Sequence, residues 1–221
     1  MKKETIAKMI DHALLGPTLT DDQLEKECRL ALTYKVASVC IKPYYLKRCV
    51  EILEGSTVKS STVIGFPHGG HTTSIKVAEA EEALKNGCEE LDVVVNIGKV
   101  LSGDWNFVHR DIKALTEVAH NPHHIIKIIF ENFYLEDDHK IRLCEICAEV
   151  NADYAKTSTG FAGGGATLAD IKLMRKHLPS HIQLKASGGI RTLNELLEFQ
   201  AVGVARIGTS HTAEILEACP S

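Results

Sequence analysis

An eight-stranded parallel barrel with its helices outside, the α/β class known as the (β/α)8 or TIM barrel, is predicted for this chain by three features of its 221 residues. Short apolar runs recur eight times, segments with helical spacing separate them, and helix-start chemistry falls where the helices should begin. The strand runs are residues 9–15, 36–41, 58–65, 91–96, 125–131, 153–158, 182–186 and 204–208. The helical segments are 21–34, 43–54, 73–86, 105–120, 137–150, 168–177 and 193–201, with a last short one at 212–218. Each repeats apolar residues at spacings of three and four, as Val77, Ala80, Ala83 and Leu84 do in the third. Thr20, Thr72, Thr167 and Thr192 stand as N-caps, the last two with capping-box spacing to Asp170 and Glu195. Gly87 and Gly203 follow helices, where a left-handed C-terminal cap belongs. Residues 1–8 remain as a short helix that could cover the barrel bottom. An open doubly wound sheet is the competing arrangement, but the first strand–helix turn, Gly16-Pro17-Thr18, lacks a glycine-rich dinucleotide fingerprint.

With 44% hydrophobic and 24% charged residues, the chain has material for one domain spanning residues 1–221. A net charge of -4 without long runs of either sign gives no attraction to nucleic acid or a bilayer surface. No apolar stretch approaches the ~20 residues of a membrane span, and the first residues do not resemble a signal peptide, so a cytoplasmic location is expected. The seven cysteines are odd in number, and Cys40, Cys88, Cys144 and Cys147 lie in apolar helix-like or strand-like contexts. They read as reduced core residues, the spacing of Cys144 and Cys147 being explained by helix packing. His68 and His71, and His120, His123 and His124 around Pro122, lack the spacing of metal ligands, so no metal and no cofactor are expected.

The chemistry concentrates in two lysines at the ends of consecutive strand runs, Lys156 and Lys185. Burial penalises an ammonium, and two ammonium groups at neighbouring strand ends make each other harder to protonate. Unit charges about 4 Å apart at an effective dielectric near 20 repel by roughly 4 kcal/mol, enough to bring an amine from about 10.4 toward neutrality. A neutral lysine attacks carbonyls and forms Schiff bases. The period of two places Asp92 on one strand face with Val94 and Asn96; facing inward, it must meet a cation. A salt bridge is the plain reading of Asp92 alone, and a proton-transfer role is the reading beside two lysines. Asp11, Cys40 and Glu131 are further polar residues on the first, second and fifth strands. Glycines and hydroxyls crowd the last three strand ends: Thr157–Gly160 with Gly163–Gly165, Ser187–Arg191, and Gly208–Ser210. Together they predict a phosphate cup, which Arg191 either joins or leaves to face water.

These residues fall in segments that, in order and spacing, make the chain resemble the deoxyribose-phosphate aldolase family over nearly its whole length. The segments are Ile10–Leu15, Ala37–Cys40, Val63–Pro67, Glu90–Gly98 with Ser102–Trp105, Lys156–Phe161, Lys185–Arg191 and Arg206–Ser210. The resemblance implies a metal-independent class I aldolase, a lyase of deoxyribonucleotide catabolism. It would cleave 2-deoxy-D-ribose 5-phosphate reversibly into D-glyceraldehyde 3-phosphate and acetaldehyde. It further implies Lys156 as the Schiff-base nucleophile, Lys185 as the neighbour that depresses its pKa, and Asp92 as the acid/base working through a water. Asp11 and Cys40 would line the site, and Gly160, Gly188, Gly189 and Ser210 would hold the phosphate. A homodimer is compatible with all of this, although nothing in the sequence specifies an assembly.

Several positions depart from the family pattern: Ala13, Gly16, Lys42, His71, Asn132, Ala162-Gly163 and His211. The C-terminal tyrosine that many members carry is not present either; the chain ends Ala218–Ser221. Ala13 and Asn132 are expected to alter hydrogen bonding at the site, and His211 to crowd or extend the phosphate cup. Two rival functions follow, a related Schiff-base aldolase of another phosphorylated substrate and a sugar-phosphate-binding barrel with little catalysis.

Overall fold

The computed structural model describes residues 2–121 and 123–220. Met1, the first residue of the expected N-terminal helix, and Pro122, at the centre of the histidine cluster, lie outside the described residues, as does Ser221. Eight strands form: β1 Ile10–Leu14, β2 Ser38–Ile41, β3 Lys59–Ile64, β4 Glu90–Val94, β5 Ile125–Ile129, β6 Tyr154–Lys156, β7 Gln183–Ser187 and β8 Arg206–Thr209. Each pairs in parallel with the next and β8 returns to β1, closing the barrel. The helices are α1 Lys3–Ala7, α2 Asp21–Tyr34, α3 Leu46–Leu53, α4 Thr73–Lys85, α5 Ile97–Leu101, α6 Trp105–His120, α7 Asp137–Glu149, α8 Leu168–His177, α9 Leu193–Ala201 and α10 Thr212–Glu217. A (β/α)8 barrel with a short N-terminal helix is thus the observed fold.

Local chemistry explains where the boundaries moved. The short helix α5 was not expected: the Asn96 side chain accepts from the Lys99 N–H at 3.1 Å and turns the end of the fourth strand run into a helix cap. Strand β5 stops at Ile129, and Glu131 lies past it with φ 59, opening the 3-10 turn Asn132–Tyr134. Strand β7 continues to Ser187, so Lys185 sits inside the strand rather than at its end. Reciprocal capping boxes are made by Thr20 with Gln23 and by Thr192 with Glu195. Thr167 only accepts from the Asp170 N–H at 3.0 Å, and Thr72 makes no side-chain cap bond.

Alternation along the strands separates two environments. Ile10, Val39, Ile41, Ile64, Leu91, Val93, Ile126, Ile128, Leu184 and Ile207 face outward and join the apolar core between wall and helices. Helix residues such as Leu24, Cys28, Cys49, Ile112, Leu115, Leu143 and Leu196 complete that core. Cys144 and Cys147 belong to it too, and all seven cysteines are free. The inward positions are strongly polar, with Asp11, Ser38, Ser61, Glu90, Asp92, Lys127, Lys156 and Lys185 all buried. Barrel interiors are usually filled by layers of branched apolar side chains, so this one departs from the common pattern at its centre.

The loop after β3 is held against β4 backbone to backbone. Gly69 has φ +66, and a Cβ added there would lie 1.7 Å from the Val95 carbonyl oxygen. Gly69→Ala is therefore expected to lower stability by about 2–5 kcal/mol, combining left-handed strain with overpacking. Urea unfolding checks it, and an unchanged midpoint would contradict this packing of the loop.

Candidate active site

Register places the charged side chains side by side. On β4 and β5, Asp92 pairs with Lys127; on β6, β7 and β8, Lys156, Lys185 and Arg206 form one row. Gly208, two residues further along β8, leaves the room: a Cβ there would stand 3.3 Å from Lys185 Cε and 2.9 Å from Ser187 Cβ. Within this space Asp92 Oδ2 accepts from Lys156 Nζ at 2.6 Å and from Lys185 Nζ at 2.7 Å. Its other oxygen accepts from Lys127 Nζ at 2.8 Å. Lys185 Nζ also donates to Asp11 Oδ2 at 2.5 Å. Beneath this layer Lys127 meets Glu90 at 2.7 Å, and Arg206 bridges Asp11 at 2.6 Å and Glu90 at 3.1 Å. Ser38 Oγ donates to Asp11 Oδ1 at 2.6 Å.

The cluster holds three carboxylates, Asp11, Glu90 and Asp92, against four bases, Lys127, Lys156, Lys185 and Arg206. An uncompensated charge in a buried site is costly, so the cluster is neutral when one base gives up its proton. Arginine does not do so. Among the described residues Lys127 has three carboxylates within 3.8 Å and Lys185 has two within 2.7 Å, whereas Lys156 is paired with Asp92 alone. Lys156 is the base with the least to lose.

The pKa directions agree. Burial lowers Lys156 below the ordinary lysine value; Asp92 opposes this and Lys185 reinforces it. Burial also opposes the charge on Lys185, but Asp11 and Asp92 outweigh it and hold that lysine above the ordinary value. Lys127 is raised well above it, Asp92, Glu90 and Asp11 overcoming burial. Asp92 stays ionised: burial works against it, yet Lys127, Lys156 and Lys185 hold its carboxyl well below the usual range. Desolvation thus leads, with lysine–lysine repulsion as the reinforcing effect rather than the sole one.

Above the cluster opens a cavity of about 370 Å³. Asp11, Cys40, Lys156, Lys185, Gly160, Gly188, Gly189, Arg191 and Ser210 all line it, while Asp92 is fully buried behind the two lysines. Burial raises the Cys40 thiol, so it serves as wall rather than thiolate. At Gly165 and Gly188 the loops after β6 and β7 meet backbone to backbone: a Cβ on Gly165 would lie 2.1 Å from the Gly188 carbonyl oxygen. The Ala166 N–H donates to Ser187 O at 3.0 Å across the same seam.

Some expected site residues are elsewhere. Asn132 does not line the cavity; its amide donates to Met174 Sδ at 3.4 Å, on the α8 side of the wall. His71 is exposed and also outside it. Ala13, Gly16 and His211 do line it, and His211 Nδ1 lies 3.3 Å from Glu214 Oε1. Lys42 ties the first two loops together, donating to Gly16 O at 2.9 Å. Lys127, Glu90 and Arg206 were missed by sequence reasoning, although Lys127 is conspicuous as the one charge in the run Ile125–Ile129.

The model of the DeoC/LacD aldolase family matches residues 5–212. A deoxyribose-phosphate aldolase of Rhodopirellula baltica is 59% identical over 211 residues, covering 96% of this chain and 88% of that one. Another, of Caldicellulosiruptor saccharolyticus, is 45% identical over 217 residues, covering 98% and 99%. The tetrameric deoxyribose phosphate aldolase of Aeropyrum pernix superposes with a TM-score of 0.91 at 30% identity, over 98% of this chain and 92% of that one.

Replacing Lys185 by Met removes a cation beside Lys156 and frees Asp92 to favour its ammonium, both of which raise the Lys156 pKa. The acid limb of the activity profile should move to higher pH, and the rate at neutral pH should fall about 10²-fold or more. A limb that stays in place would contradict the coupling.

Proposed function

The chain belongs to the DeoC/LacD aldolase family, and on that premise we propose that it cleaves 2-deoxy-D-ribose 5-phosphate reversibly to D-glyceraldehyde 3-phosphate and acetaldehyde, with Lys156 as Schiff-base nucleophile. The observation that carries this reading is the sharing of one Asp92 oxygen by Lys156 and Lys185, in a cluster with one base more than it has carboxylates.

The neutral Lys156 amine attacks C1 of the open-chain sugar, and the carbinolamine loses water to give a protonated imine. Removal of the C3 hydroxyl proton then breaks the C2–C3 bond. Its electron pair flows into the imine, leaving an enamine on Lys156 and releasing glyceraldehyde 3-phosphate. Protonation of C2 and hydrolysis of the resulting imine release acetaldehyde and restore the amine. Asp92, held ionised among its lysines, takes and returns protons through a water, while Lys185 stays charged and keeps Lys156 deprotonated. Asp11 holds Lys185 in place.

Gly160, Gly188, Gly189, Arg191 and Ser210 cluster on one wall of the cavity and suit a phosphate there. Backbone amides and a hydroxyl bind the group far from the bond being broken, so its binding energy serves to position the reacting carbons. A single domain over residues 1–221, a homodimer and a cytoplasmic location complete the proposal; among the described residues no helix is long and apolar enough to cross a membrane.

Borohydride added with deoxyribose 5-phosphate is expected to leave a covalent adduct on Lys156, located by peptide mass spectrometry and lost in Lys156→Ala. An adduct confined to another lysine would overturn the assignment. Turnover of a different sugar phosphate with none of deoxyribose 5-phosphate would move the substrate but keep the nucleophile.

A further inference from the structure

Beyond β5 the chain passes through Glu131 with φ 59 and ψ 63, a left-handed conformation that residues other than glycine enter only under strain. Its side chain is 1% exposed. Oxygen Oε2 accepts from the Thr159 N–H at 3.2 Å and from the Thr159 hydroxyl. Oxygen Oε1 is buried and has no hydrogen-bond partner among the described residues. Strain in the backbone and an orphaned buried oxygen are both unfavourable, and features of this kind concentrate at functional sites.

Thr159 shows what Glu131 holds. It lines the cavity, three residues after Lys156 and directly before Gly160. Its hydroxyl oxygen also accepts from the Phe161 N–H at 3.0 Å, so the bond from Glu131 braces the whole turn. The neighbouring Asn132 N–H donates to Thr157 O at 2.9 Å. Lys156 is the last residue of the three-residue strand β6, its carbonyl accepting from the Phe130 N–H at 2.9 Å, so the turn that Glu131 braces begins directly after the lysine. Burial raises the Glu131 carboxyl from its ordinary value, against the pull of Thr159, Lys156 and His68.

We propose that Glu131 is a positioning residue for the cleavage: acting through Thr159, it ties the phosphate-binding wall rigidly to the Lys156 amine. The inference rests on the reading of Lys156 and of the phosphate wall given above. Remote binding energy accelerates a reaction only where the remote site is held in fixed relation to the reacting atoms. Loosening the tie should therefore cost the phosphorylated substrate more than the unphosphorylated one.

The test compares kcat/KM for deoxyribose 5-phosphate and for deoxyribose in the wild type, Glu131→Ala, Glu131→Gln and Thr159→Val, with urea unfolding run on each. In Glu131→Ala the value for the phosphate ester should fall about 10²-fold, as a misplaced nucleophile would cause, and that for deoxyribose at least tenfold less. Glu131→Gln, which keeps the side-chain length and an oxygen to accept from Thr159, should recover most of the lost ratio. Thr159→Val should reproduce the loss, and it supplies the reading if Glu131→Ala fails to fold. Equal losses on both substrates, or an unchanged ratio in a folded variant, would overturn the inference. A wild type that neither cleaves deoxyribose 5-phosphate nor traps an adduct on Lys156 would instead overturn the underlying function.

Discussion

The carboxylate of Asp92 is the constraint around which the rest of the molecule is arranged. Three lysines converge on its two oxygens within 2.8 Å, all of them buried, and of the three only Lys156 and Lys185 reach the cavity. In such a place the proton inventory is set by neighbours more than by solution. The layer beneath, where Glu90 and Arg206 meet Lys127 and Asp11, decides which lysines remain cations. Lys156, the amine proposed as nucleophile, is the lysine of the cluster that pairs with a single carboxylate among the described residues. On that proposal its reactivity comes from the distribution of charge through the barrel.

Such an interior is possible because stability resides elsewhere. The outward faces of the strands and the inner faces of the helices form a continuous apolar shell, which carries the favourable transfer of surface from water. The buried ion pair Lys76–Asp111, at 2.8 Å, lies in that shell between α4 and α6 and fastens them near β4, where Lys76 also donates to Val94 O. Held by its outer shell, the barrel can give its centre over to groups whose burial is unfavourable but whose reactivity depends on it.

Most of the architecture was legible in the sequence because period and punctuation agreed. Segments 21–34, 105–120, 168–177 and 193–201 match helices α2, α6, α8 and α9 end to end. Lys156, Lys185 and Asp92 stood out because charges interrupt apolar runs there, while parity put Asp92 on one face with Val94 and Asn96 without saying which face turns inward. The rest had weaker signals. Glu90 fell one residue before the expected fourth strand, so its inward parity with Asp92 went unused, and Arg206, in the middle of the expected run 204–208, was given no role of its own. Lys127 was absorbed into a β-branched run whose register against Asp92 only the closed sheet supplies. The left-handed turn at Glu131 could not be read at all, because propensity assigns that conformation to glycine or asparagine. The placement of Asn132 against Met174 followed from that turn, which carries the side chain away from the cavity.

The glycine seam between the loops after β6 and β7 makes one wall of the cavity stiff, since neither loop can shift without opening the close backbone contact of Gly165 with Gly188 and the bond from the Ala166 N–H to Ser187 O. At the end of β1, which pairs with β8, the lining residues Ala13, Leu15 and Gly16 are small or aliphatic, and the Gly16 carbonyl is tethered by the long arm of Lys42. The two sides therefore differ in how freely they can be altered. Side chains can be exchanged with more latitude along the tethered side, whereas the seam fixes the shape of the wall it builds.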